Sequence, residues 1–211
     1  MLVLSFVFLF VGQGRAGADS GVDPEAAAAV VERLHDTLID VMKQSDELGY
    51  SGRRDQLAPV LTETFDIQFM AQKSVGRHWK TVNDEDRVRL LETFERLTVA
   101  NYAGRFHGYS GHAFETLKVE PSTHGTMVVH SQLVEPDGDT THLNYRLRPT
   151  ADGWKIIDVY LNGTISELAL RRSEYSSMIQ REGLPALITA LDDRIEDLAS
   201  GTADPTQPAS L

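Results

Sequence analysis

Two charged side chains stand where chemistry could be done, Asp158 and Arg172. Asp158 interrupts the apolar-rich run Trp154-Lys155-Ile156-Ile157-Asp158-Val159-Tyr160-Leu161. A carboxylate desolvated inside such a strand, beside Tyr160, has its pKa raised toward the range of a general base. The commoner fate of a carboxylate there is an ion pair with an arginine. Strict alternation puts Asp158 with Trp154, Ile156 and Tyr160, and sets Lys155, Ile157, Val159 and Leu161 on the other face. Both faces are then mixed, and periodicity does not choose the inward one. Arg172 shares a helical face with Ile165, Leu168, Tyr175 and Ile179. A cation in an apolar stripe snorkels, pairs with Asp158 or Glu174, or meets an anionic headgroup at the mouth of a pocket.

Other chemistries lack their parts. Of seven histidines, His130 and His142 flank a hairpin turn and fall on one face of adjacent strands, offset diagonally. Two ligands on a wet sheet face leave a zinc site incomplete. His107 and His112 bracket a glycine-rich turn and do no better. The chain has no cysteine, which removes disulfides, thiolate metal sites and thiol nucleophiles together. No nucleophile elbow and no phosphate-binding glycine loop occurs. The expectation is a protein without cofactor or metal, one that holds something apolar rather than cutting it.

Thirty-one acidic residues face twenty basic ones, a formal charge of −11. That balance argues against nucleic acid as a partner and against simple adhesion to anionic membranes. Residues 2–11 form an apolar run, and Ala16-Gly17-Ala18 follows with the small residues of a cleavage site before Asp19. A span needs roughly 20 apolar residues, so residues 1–18 read as a cleavable export signal rather than an anchor. Absence of cysteine then suits a periplasm better than a disulfide-stapled extracellular module.

The elements that must position these groups divide by period. Asp23-Pro24-Glu25 opens a helix carrying Val30, Leu34, Leu38 and Val41, expected to stop near Gly49. Short helices are expected over 54–61 and 65–74, and the longest from the acidic start at Asn83 to about His107. Strands are expected over 113–120, 125–134, 140–148 and 154–161, with Glu135-Pro136-Asp137-Gly138 as a hairpin turn. In the hairpin the odd positions from Met127 to Leu147 are largely apolar and the even ones polar, the mark of a sheet with one covered face. Thr164 and Glu167 offer a capping box for the next helix, Gly183 interrupts it, and a last helix covers 184–198. The architecture is α+β: a four-stranded antiparallel sheet with helices packed on one face. One domain spans 19–200, and the polar tail 201–211 reads as disordered.

Several short motifs, in order, resemble the MlaC/toluene-tolerance family of periplasmic lipid-binding proteins. They are Phe65-Asp66, Ser74-Val75-Gly76-Arg77-His78-Trp79, the helix with Phe94 and Tyr102, Trp154-Lys155-Ile156-Ile157-Asp158-Val159, Gly163-Thr164-Ile165-Ser166, Arg172-Ser173-Glu174-Tyr175 and Gly183-Leu184-Pro185-Ala186-Leu187-Ile188. The likeness covers about residues 25–200. The run Ser166-Glu167-Leu168-Ala169-Leu170-Arg171-Arg172-Ser173-Glu174-Tyr175 is similar to the hopanoid-associated HpnM branch. Leu170-Arg171 departs from the family, where an aromatic often precedes the Arg. The resemblance implies an NTF2-like or cystatin-like sheet curled on helices, with a deep apolar cavity between them. It implies a monomeric carrier that shuttles phospholipid or hopanoid between outer and inner membranes, docking transiently on membrane partners that include an inner-membrane ABC-type transport complex.

Such a carrier needs a dry cavity and no catalytic group, because each exposed CH₂ of a lipid tail costs roughly 0.8 kcal/mol in water. The candidate wall is Val129, Leu133, Leu143 and Tyr145 on the hairpin, extended by Ile157, Val159 and Leu161. Ile165 and Leu168 supply a helical side, Tyr102 and Phe106 the opposite side, and Arg172 a contact for a headgroup. Two alternatives stand beside this reading. One is a pocketed enzyme with Asp158 as base and Tyr160 or Tyr102 as hydrogen-bond donor. The other is a non-catalytic adaptor in hopanoid synthesis whose acidic surface docks a basic membrane complex.

Overall fold

The computed structural model describes residues 23–204. The leader reading on residues 1–18 lies outside them, as does the tail beyond 204. Helix α1 (Pro24–Lys43) starts where Asp23 accepts the Ala26 amide at 3.0 Å, and its apolar stripe from Val31 to Val41 is fully buried. It lies across the sheet. Helix α1 thus stops at Lys43, short of the expected Gly49, and α2 (Ser45–Thr64) begins at once. Within α2, Gly49 takes φ 57° and ψ −171°, non-helical values that kink the segment into two helical stretches. Leu57 and Leu61 then reach the core, so tertiary burial extends a segment expected to be short. Helix α3 (Ile67–Val75) is capped by Asp66. Helix α4 (Asp84–Arg105) is capped by Asn83 and buries Leu90, Phe94 and Leu97, packing against α2 and the last helix of the chain.

The sheet is an antiparallel meander in the order β1 (Ala113–Pro121), β2 (Met127–Val134), β3 (Thr140–Thr150), β4 (Gly153–Leu161), β5 (Ile165–Ser166). It has five strands where four were expected. Asn162 and Gly163 both take positive φ, 50° and 76°, so the chain doubles back and Ile165 pairs with Leu161. Ser166, rather than Thr164, therefore becomes the N-cap of α5 (Glu167–Glu182), its hydroxyl accepting the Ala169 amide at 2.9 Å. Helix α6 (Leu184–Ser200) closes the fold against α4. Among the described residues, no helix is long and apolar enough to cross a membrane.

A bulge in β4 decides which face looks inward. Arg146 pairs with Asp158 but the next residue, Leu147, pairs with Ile156, leaving Ile157 as the extra residue. Before the bulge the even residue Ile156 faces the core opposite Leu147. After it the odd residues Val159 and Leu161 face the core opposite Tyr145 and Leu143. Ile157 is buried but apart from the main core, on the side of Asp158. The mixed faces of strict alternation are thus two clean faces joined by one slipped residue.

Candidate functional site

The covered face of the sheet carries an unbroken chain of aromatic contacts. Phe65, at the end of α2, meets Tyr102 of α4 edge-on at 5.6 Å, and Tyr102 stacks on Phe106 at 5.6 Å. Phe106 leans on Phe114 of β1 at 6.1 Å, and Phe114 stacks flat on His35 of α1 at 4.0 Å. His35 Nε2 in turn lies 3.2 Å from the Tyr145 hydroxyl of β3. Burial lowers the His35 pKa to about 4, so the ring is neutral at ordinary pH and belongs to the apolar wall. Burial also raises the Tyr145 and Tyr102 phenols, with Glu167 adding to both. His35 was not singled out by the sequence reading. Its position among the buried stripe residues of α1 was the available signal.

The sequence-predicted residues fall into two groups. Val129, Leu143, Tyr145 and Val159 sit side by side in the sheet and are buried, with Tyr102 and Phe106 close to them through the aromatic chain. At the hairpin end of the same face, packing loosens. Phe114 pairs with Leu133 and Leu161 with Ile165; the first three are partly exposed and Ile165 is 47% exposed. This row of emerging apolar side chains is where solvent reaches the covered face, and it is the candidate mouth of an apolar site. Ile157, Leu168 and Arg172 are not part of this row. They line a separate trough of about 510 Å³ beside β4, between α3 and α5. Arg146 and Arg148 of the polar face of β3 also line it, so helices reach past the edge of the sheet toward its second face.

Above the mouth, Glu167 bridges Arg105 at 3.5 Å and Arg171 at 3.6 Å. The Arg171 guanidinium lies 5.5 Å over the Phe94 ring. The arginine that enters the helical interior is thus Arg171, one residue from the expected Arg172. The Glu167–Arg171 spacing was the readable signal. Tyr175 is fully buried on α5, its hydroxyl lacks a hydrogen-bond partner among the described residues, and burial pushes its pKa up to about 12.

Among the described residues Asp158 forms no ion pair with an arginine, contrary to the commoner expectation. Its Oδ1 accepts the Val159 amide at 2.9 Å and the Leu168 amide at 3.1 Å, and its Oδ2 accepts the Ser166 hydroxyl at 2.6 Å. Those donors meet its acceptors at the positive end of α5, so a guanidinium is not needed. Desolvation raises its pKa against the opposing pull of these bonds. His130 and His142 do lie diagonally on one face, but His130 is held by Glu120 at 2.9 Å. No group of three or more metal-ligating side chains forms among the described residues.

The family model described as "MlaC protein" matches residues 32–193. A solved structure of a phospholipid-binding protein from Ralstonia solanacearum, in complex with a phospholipid, superposes with a TM-score of 0.72 at 21% identity, covering 82% of this chain and 98% of that one. A 52-residue stretch is 42% identical to malate synthase G of Corynebacterium glutamicum; it is 25% of this chain and only 7% of that enzyme's length.

Proposed function

Because the chain belongs to the MlaC protein family, we propose that it is a periplasmic lipid-binding carrier that moves a phospholipid or hopanoid between the inner and outer membranes. The observation that carries this reading is the aromatic-lined face of the sheet, which loosens into the partly exposed row Phe114, Leu133, Leu161 and Ile165. Acyl chains or a fused-ring lipid entering there replace water against carbon and little else. The shared fold with a phospholipid complex supports the same ligand class. A non-catalytic role is supported by Asp158, whose two oxygens are spent on the start of α5. Delivery then requires transient docking on membrane partners, an ABC-type complex at the inner membrane among them.

Native mass spectrometry of gently purified protein tests the reading. A co-purified lipid of defined mass, exchanged with vesicles, is the expected result. Protein that is consistently empty and takes up nothing from vesicles would sink the proposal.

A further inference from the structure

The trough beside β4, between α3 and α5, gathers positive charge that the chain as a whole lacks. Lys73 of α3, Arg146 and Arg148 of β3, and Arg172 of α5 all line it. In a chain with 31 acidic and 20 basic residues, such a concentration runs against the overall balance. Arg148 is neutralised by Asp66 at 2.6 Å. The other three have no carboxylate partner among the described residues: Arg146 is held by Thr123 and Thr126 oxygens, Lys73 lies 5.1 Å over the Phe69 ring, and Arg172 stands over Gly76. Gly76 takes φ 58°, and a Cβ there would come within 3.3 Å of Arg172 Nε, so the guanidinium uses space that a side chain would fill. Asp158, the carboxylate in the lining, is occupied by Ser166 and the α5 amides. The floor is carbon: Phe69, Ile157 and Leu168.

We propose that this trough is a second binding site, for a phosphate ester joined to an apolar group. Guanidinium forks match the paired oxygens of a phosphate, and a concave basic site focuses their field on it. The apolar floor and a volume of about 510 Å³ suit a ligand larger than free phosphate. The ester comes either from a phospholipid headgroup with its glycerol or from a soluble phosphoester. The site is distinct from the apolar mouth and does not depend on what fills that mouth.

Calorimetric titration of the purified chain at low salt tests it, with dihexanoyl phosphatidylglycerol below its micelle concentration as one probe and glycerol 3-phosphate as the other. The variants are Lys73→Gln alone and with Arg172→Gln, exposed positions whose loss breaks no hydrogen bond among the described residues. Wild type binds at least one probe, and the double variant binds it about tenfold or more weakly, Lys73→Gln falling between, with added salt having the same direction of effect. Binding of the lipid alone assigns the headgroup source; comparable binding of glycerol 3-phosphate assigns the soluble one. The proposal is overturned if neither probe titrates, or if the double variant binds as wild type does. Long-chain lipid retention, read by mass spectrometry on the same samples, reports separately on the carrier reading.

Discussion

His35 and Tyr145 meet inside the apolar wall, imidazole Nε2 to phenol oxygen at 3.2 Å, although α1 and β3 stand 110 residues apart in sequence. The pair is nearly dry, with His35 at 4% and Tyr145 at 1% exposure. A polar contact so placed ties the first helix to the centre of the sheet directly under the candidate lipid site.

That pairing predicts an acid-sensitive fold. The folded-state pKa of His35 is about 4 against an ordinary 6.5, so the unfolded chain binds the proton more readily. The contribution of neutral His35 is fully present above pH 6.5, declines as pH falls toward 4, and falls no further below it. The full shift corresponds to about 3 kcal/mol. Urea unfolding of wild type and His35→Phe at pH 7.5 and 4.5 should show the variant losing about that much less stability on acidification. Equal losses would remove His35 from the account.

The two buried tyrosines should respond oppositely. Tyr145→Phe leaves His35 without its partner and should cost about 1–2 kcal/mol. Tyr175→Phe deletes a hydroxyl that has no partner among the described residues, and should be neutral or stabilising by about 1 kcal/mol. Chemical denaturation at pH 7.5 distinguishes them.

Asp158 and Ser166 act on the start of α5 rather than on a substrate. Ser166→Ala should cost about 1 kcal/mol, the usual worth of an N-cap. Asp158→Asn should cost about 1–3 kcal/mol through the lost charge-assisted bonds. The folded Asp158→Asn protein should retain lipid as wild type does. Complete loss of function without loss of folding or lipid would revive the enzyme reading.

The mouth and the buried wall should separate by variant. Ile165→Glu changes a residue that is 47% exposed, so it should melt within a few degrees of wild type yet carry much less co-purified lipid. Val159→Glu buries a charge at a position only 4% exposed and should unfold the protein outright. Melting temperature and lipid content, measured together, decide both.

By itself the sequence determined the α+β order, the cap at Asp23, the acidic helix start at Asn83, and the covered odd face of the hairpin. Each depends on contacts within a few residues, where periodicity and turn chemistry act directly. The family motifs were also legible, because they are runs of neighbouring residues. What lay beyond it was set by partners distant in the chain. The bulge at Ile157 exists because β3 pairs past it, which alternation along one strand cannot register. The fate of Asp158 was decided by the turn at Asn162-Gly163, which brings Ser166 and Leu168 back to its oxygens. His35 looked like one more scattered histidine until folding set it between Phe114 and Tyr145. Arg172 shared an apolar stripe on paper, but the approach of α3 and β3 to α5 gave it a trough with Lys73 and Arg146. Desolvation and field are sums over neighbours in space, so only the tertiary structure could assign them.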